Sequence, residues 1–444
     1  MTWQYRVMRS PLRLRAPIVL PCDPACTVLR DAVVDVDAEG RIAWCGPFAD
    51  APDSAAPVRS LPGILLPGLV NTHAHSPMTV LRGMGGDLPL LRWLREIIWP
   101  AEAKLTPADI EAGMALGSVE MLRGGITTSV EQYFQTEHVV RALGATGQRA
   151  IVGPAIVDTP GHNWRAQLDE ISARIDVDGR FTGKDDRIEI AYGPHSAYTL
   201  PPHALTLVGE AARARSALVL VHVAESAQED VVQRERHGSV PAMLAEVGLY
   251  GGRVLAAHAV HLSDEDIAVF AEHGVGVAHC PGSNAKLASG VARLADLRAA
   301  GVAVGLGTDG PASNDDLDLW EEMRLAALFA RIAAADSSAL VAADTLLLAT
   351  RGGATAIGRD DIGALEAGRW ADLIHVDVDD PAFTAGLSVS DEHLLANLVW
   401  AAGTRLVRDV WVAGDQVIAD REPTQVDRAK VQAAAGAVTR RLIR

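Results

Sequence analysis

Between Leu65 and about Arg331 the chain repeats one pattern: a short apolar run, a loop of polar or Gly/Pro residues, then an amphipathic helical stretch. The runs are ILLPGLVNTH, GITTSVEQY, RAIVGPAIV, RIEIAYGPH, ALVLVHVAE, RVLAAHAVH, GVGVAHCP and VAVGLGTD. Near-continuous apolar strands suit a parallel sheet covered on both faces. Eight such units in succession predict a (β/α)8 barrel of the α/β class in preference to an open doubly wound sheet. No phosphate-cradling glycine motif follows any run, which argues further against a nucleotide-binding doubly wound fold.

The two ends of the chain read differently. AVVDVDAEGRIAWCG holds two alternating runs around a turn at Ala38 to Gly40, and DVWVAGDQVIAD holds two more around Gly414-Asp415. Both predict β-hairpins. Because they flank the repeats, they are expected to meet in one small β-sandwich domain built from residues 1–66 and 369–444, with the barrel over 67–368. Arg428 to Arg444, rich in alanine and charge, is expected to be a helix.

The 444 residues, 49% of them hydrophobic, suffice for one large domain and a smaller one. A formal net charge of −16 argues against nucleic acid as a partner. Cys22, Cys26, Cys45 and Cys280 have neither zinc-type spacing nor the density of a disulfide framework. The opening MTWQYRVMRSPLRLRAP lacks the apolar core of a signal peptide, and no run approaches the length of a membrane span. The expected location is the cytoplasm, with no membrane partner. A homo-oligomer stays open.

Why the first strand should finish in THAH is the question that leads to function. Residues two apart on a strand project to the same side, so His73 and His75 crowd together at one strand end. That pair alone fits surface histidines as well as a shared cation. The other runs change the balance. The fourth ends with His195, the fifth with His222 and Glu225, the sixth with His258 and His261, the seventh with His279 and the eighth with Asp309. A lone histidine is more often structural than a ligand, but in barrel enzymes the chemistry sits at the C-terminal strand ends. Six strands delivering His or Asp to one rim are better explained by a single metal site.

Catalytic zinc sites use a few His and carboxylate ligands and leave a position for water. His73, His75, His222 and Asp309 make such a set. A bound metal lowers the pKa of its water towards about 7, giving hydroxide at neutral pH. Glu225, three residues after His222, is placed to shuttle a proton, and His258 to polarise the water or hold Asp309. His261 and His279 read equally well as structural.

Together, PGLVNTHAHS, HVAES, AHAVHL, SNAKLASG, GTDGPASND and GGATAIGRDDIGALEAGRWADLIHVD resemble the amidohydrolase superfamily over nearly the whole chain. Within it, MTVLRGMGGDLPLLRWLREIIWPAE and NDDLDLWEEMRLAAL are similar to the branch of 5-methylthioadenosine/S-adenosylhomocysteine deaminases, related to triazine chlorohydrolases and guanine deaminases. The resemblance implies one zinc, replaceable by Fe2+ or Mn2+, on His73, His75, His222 and Asp309. It implies a hydrolytic deaminase that converts an adenosine-like nucleoside to the inosine analogue and ammonia. Glu225 would protonate the ring nitrogen, and His258 and Asp309 would move the proton to the leaving ammonia. Substrate contacts carry over to Glu102 for the ribose, and to Arg149 and His195 for the purine. Without the resemblance, Glu102 reads equally as a first-turn helix carboxylate and Arg149 as a surface residue before a strand.

Two stretches depart from the branch. Its second arginine after the third strand has only Arg165, in VDTPGHNWRAQ, as a counterpart, and its acidic pair before LPL is replaced by Gly85-Gly86-Asp87. Both bear on the 5′ side of the substrate. The competing reading keeps a zinc hydrolase but gives it guanine, a pterin, aminofutalosine or a triazine. A non-enzymatic relative is disfavoured because no expected ligand is missing, and the cysteine-based zinc deaminase design because Cys280-Pro281 has no neighbouring cysteine.

Overall fold

The computed structural model describes residues 9–85, 88–159 and 161–443. Gly86 and Asp87, the centre of the departure before LPL, and the first eight residues lie outside that set. The fold is mixed α/β, with two sheets among the described residues. Among the described residues no helix is long and apolar enough to cross a membrane.

The first sheet is parallel apart from one short edge strand. In spatial order it runs Val219–Val223, Val254–His258, Gly276–His279, Val304–Leu306, Leu69–Ala74, Ile126–Tyr133, Arg149–Ile156 and Ile188–Ile190, with Phe181–Thr182 antiparallel beyond. Gly193–Pro194 continues on Arg149–Ile156. The chain that follows Ile188–Ile190 also approaches Val219–Val223 at the other end of the order, through parallel bridges Tyr192–Val219 and Ser196–His222. Every residue of the long strands Ile126–Tyr133 and Arg149–Ile156 is buried, as expected for strands covered on both faces. Helices including Pro107–Arg123, Thr136–Thr146, Pro202–Ala214 and Asp264–His273 alternate with the strands. Thr106 with Asp109 and Ser263 with Asp266 form capping boxes that start two of them.

Among the described residues the second sheet has nine strands, from both chain ends. Its order is Glu422–Pro423, Asp415–Ala419, Val407–Val412, Leu373–Val376, Ile64–Pro67, Leu12–Val19, Leu29–Val36 and Ile42–Pro47, with Val58–Ser60 beside Leu12–Val19. Both expected hairpins are present in it, antiparallel. N- and C-terminal segments meet where Ile64–Pro67 pairs antiparallel with Leu373–Val376.

That pairing corrects one expectation. ILLPGLVNTH is not one strand: ILLP belongs to the nine-stranded sheet and LVNTHA to the parallel one. Gly68 is the hinge, and a Cβ there would lie 2.0 Å from Thr127 Oγ1, so only glycine lets the chain pass from sheet to sheet. The C-terminal helix, Arg428–Leu442, returns to the parallel sheet's side of the molecule. There Thr439 Oγ1 donates to the Val80 carbonyl at 3.0 Å, and Arg441 pairs with Asp109.

Candidate active site and metal centre

Parallel strands in register deliver their last residues to a common edge. Val223 lies opposite His258, and Ala74 is bridged to Asp309. Sharp exits from the strands then turn the side chains inward. Ala224, His258, Ala259 and Asp309 all have left-handed φ values, from 49° to 71°. For residues with a Cβ this conformation costs about 1–3 kcal/mol each and clusters at functional sites.

The result is a knot of imidazoles around one carboxylate. His75 Nε2 lies 3.3 Å from Asp309 Oδ1 and 3.3 Å from His222 Nε2, and His73 Nε2 lies 3.5 Å from Asp309 Oδ1. Ligand atoms held tetrahedrally at zinc distances are themselves about 3.3–3.4 Å apart. The spacing is therefore that of a coordination shell for a divalent cation. A second sign is that His73 Nε2 is buried with no hydrogen-bond partner.

The tautomers follow from the outer contacts. A carbonyl only accepts, so His75 Nδ1 donates to Gln132 O at 2.6 Å and His222 Nδ1 donates to His195 O at 2.7 Å. In both rings Nε2 is left with its lone pair facing inward. Burial pushes His73 down to about 4 and His222 well below the usual histidine range, so both stay neutral at pH 7, the form that coordinates. Burial alone would raise Asp309. The close approach of His73, with His258 and His75 beside it, outweighs this and holds the carboxylate ionised. Its other oxygen, Oδ2, accepts from Ser283 Oγ at 2.6 Å and Ser313 Oγ at 2.9 Å.

Glu225 and His258 stand beside this centre, with Glu225 Oε2 3.9 Å from His258 Nε2. Burial raises the Glu225 carboxyl above the usual carboxylate range against the lowering effect of His258, a shift towards the protonated form that a proton donor needs. His258 Nδ1 is held by Asn284 Oδ1 at 2.9 Å.

A cavity of about 510 Å³ opens from the centre. His75, His222, Glu225, His258, Asp309 and His195 line its polar end. Glu102 lines it too, held by Tyr133, whose hydroxyl donates to Oε1 at 2.6 Å. Met78, Leu90, Trp93, Leu94, Trp99 and Ile110 form an apolar wall.

Arg149 is not in the cavity, contrary to the expectation from GQRA. It opens its strand, at the end remote from the histidines, and is fully buried in a two-pronged ion pair with Asp372 at 2.6 and 3.0 Å. A side chain at the start of a parallel strand cannot reach a site built on strand ends. Arg165 is exposed, with its guanidinium over the Trp164 ring, and is also absent from the described lining. His261 is tied to the Ser289 carbonyl at 2.8 Å, and His279 is buried off the cavity. Sequence reasoning missed Tyr133 and the buried Glu131, which accepts from the Ser76 backbone N–H at 3.0 Å and Oγ at 2.7 Å. The run of polar residues in SVEQY, at the end of an otherwise buried strand, was the available signal.

The sequence profile of the Amidohydrolase family matches residues 64–417. The chain belongs to the amidohydrolase family. The 5-methylthioadenosine/S-adenosylhomocysteine deaminase of Pelotomaculum thermopropionicum is 39% identical over 436 residues, covering 97% of this chain and 98% of that protein. The crystal structure of an adenosine deaminase from Xanthomonas campestris with bound zinc superposes with a TM-score of 0.89 at 39% identity, over 97% of this chain and 98% of that one. A zinc-complexed atrazine chlorohydrolase from Arthrobacter aurescens TC1 superposes with a TM-score of 0.87 at 25% identity, over 96% of this chain and all of that one. As an amidohydrolase the chain is a hydrolytic enzyme for a small-molecule substrate, with a site suited to a divalent metal.

Proposed function

We propose that this amidohydrolase is a zinc-dependent deaminase of adenine nucleosides, with one zinc on His73, His75, His222 and Asp309. The observation that carries the reading is one cavity lined by His75, His222, Asp309 and Glu225 at one end and by a second carboxylate, Glu102, held by Tyr133. The deaminase names borne by relatives at 39% identity support it. The bridges Tyr192–Val219 and Ser196–His222 support the finer fold reading, a closed (β/α)8 barrel over 67–368 beside a small β-sandwich from 1–66 and 369–444.

The metal, when bound, supplies an acidified water, its pKa lowered towards about 7. Everything else falls to side chains. Glu225 gives its proton to the ring nitrogen next to the amino-bearing carbon, so that electron density from the attacking water has somewhere to go. Asp309 and His258, poised on the same side, take up the water's proton and pass it to the amino group. That carbon–nitrogen bond then breaks, ammonia leaves, and the remaining hydroxyl proton passes to the Glu225 carboxylate as the carbonyl forms, restoring the acid. Glu102, fixed by Tyr133, accepts from ribose hydroxyls, and His195 faces the purine.

The apolar wall of Leu90, Trp93, Leu94 and Trp99 carries no lysine or arginine, and none occurs among the described lining residues. This favours an uncharged 5′ group, hydroxyl or methylthio, over the zwitterionic tail of S-adenosylhomocysteine. Ammonia release from zinc-loaded protein, measured side by side on adenosine, methylthioadenosine, S-adenosylhomocysteine, guanine and aminofutalosine, tests the reading. Turnover of adenosine or methylthioadenosine first is expected. Turnover of guanine alone, or of no nucleoside, overturns it.

A further inference from the structure

Asp309 and His258 owe their orientation to three neighbours: Ser283 and Ser313 on Asp309 Oδ2, and Asn284 on His258 Nδ1. These sit on two separate segments. Ser283 and Asn284 belong to the short helix Pro281–Lys286, and Ser313 to the turn after Asp309. One side chain from a third element joins the segments. Glu322, on the helix Leu319–Ala334, is fully buried. Its Oε2 accepts from the Gly282 N–H at 2.9 Å, and its Oε1 accepts from Asn314 Nδ2 at 2.9 Å. The same Asn314 amide donates to the Thr308 carbonyl, at 2.9 Å, one residue before Asp309.

Two features separate this arrangement from ordinary core packing. Burying a carboxyl with no cation beside it is costly, and a leucine or methionine would fill the volume at lower cost. Among the described residues Glu322 has no ion pair. The approach is also close: a Cβ on Gly282 would lie 2.3 Å from Glu322 Oε1 and 2.4 Å from Asn314 Oδ1. Only glycine there lets the carboxylate reach the backbone.

We propose that Glu322 is a positioning residue for Asp309 and His258. It locks the helix that carries Ser283 and Asn284 to the turn that carries Ser313 and Asn314, and so sets the geometry of a metal ligand and its catalytic neighbour from outside the cavity. The proposal rests on the site reading given above for those two residues.

Both contacts of Glu322 are with donors, so Glu322→Gln keeps the volume but turns an NH2 towards a donor. Asn314→Ala cuts the link from the other side. Met323→Ala, next on the same helix and equally buried, loses packing but no acceptor, and serves as the structural control. Zn2+ affinity is read by competition with a chromogenic chelator, alongside kcat, KM and Tm. Outer partners of metal ligands contribute about 10–100-fold to affinity or activity. Loss of that size is expected in Zn2+ affinity or kcat for E322Q and N314A, with KM within about threefold of wild type. M323A should lose Tm while keeping Zn2+ affinity and kcat. Wild-type affinity and kcat in E322Q or N314A, or equal losses in M323A at matched Tm, overturn the proposal. If the wild type turns over no nucleoside, the functional reading fails separately, and the Zn2+ affinities of the variants still decide the role of Glu322.

Discussion

Arg149 and Asp372 lock together at the end of the parallel sheet remote from the histidines, joining its third strand in chain order to the approach of the Leu373–Val376 strand of the other sheet. Asp372 Oδ1 also accepts from the Ala413 N–H at 2.7 Å, so a single carboxylate ties three stretches of chain. Removing one partner of a buried, hydrogen-bonded ion pair costs about 3–5 kcal/mol. Arg149→Met is therefore expected to lower the unfolding free energy by that amount in denaturant titration. KM for the nucleoside should stay at the wild-type value in the folded fraction. A large KM increase with unchanged stability would return Arg149 to the substrate.

Glu225→Gln removes the proton donor while keeping its shape. General acid–base groups contribute about 10²–10⁴-fold, and a loss of kcat in that range is expected. Zinc content by atomic absorption should remain that of the wild type, because Glu225 is outside the ligand shell. Retained turnover removes Glu225 from the mechanism.

Glu102→Ala separates ribose recognition from chemistry. A hydrogen bond to a charged group is worth about 1.5–3 kcal/mol, so KM for adenosine should rise by about 10–100-fold. The free base adenine, whether as substrate or as inhibitor, should bind nearly as before. Equal effects on base and nucleoside would mean that no ribose is held there.

Acid should destabilise the metal-free protein through its buried histidines. Burial holds His279 at about 4, and His195 at about 3. The unfolded chain takes up these protons near 6.5, the folded chain only at the lower values, so the stability is present above about 6.5 and is lost as the pH falls through the folded values. Scanning calorimetry between pH 7 and pH 4 should show Tm falling. The slope contributed by each group is up to about 1.4 kcal/mol per pH unit. His279→Asn should make the fall shallower, and an unchanged slope would show that His279 does not titrate in this way.

Some of this was readable from order and spacing alone. Side-chain alternation puts His73 and His75 on one side of a strand, and eight apolar runs separated by helical stretches leave few folds open. The offset of Glu225 from His222 is equally local, and the two terminal hairpins announce themselves by their turns. These features depend on backbone periodicity, which a sequence carries residue by residue.

What tertiary structure decided is whatever depends on partners distant along the chain. Arg149 is held away from the cavity by Asp372, 223 residues later in the chain, a partner that no local pattern reveals. The break of ILLPGLVNTH at Gly68 depends on Thr127 standing where a Cβ would go. Tyr133 acquires meaning only beside Glu102, and Glu322 only between Gly282 and Asn314. Local pattern tells which face a side chain takes; which charge, hydroxyl or backbone N–H waits on that face is set by how the strands and helices pack, because electrostatics and hydrogen bonding act through space rather than along the sequence.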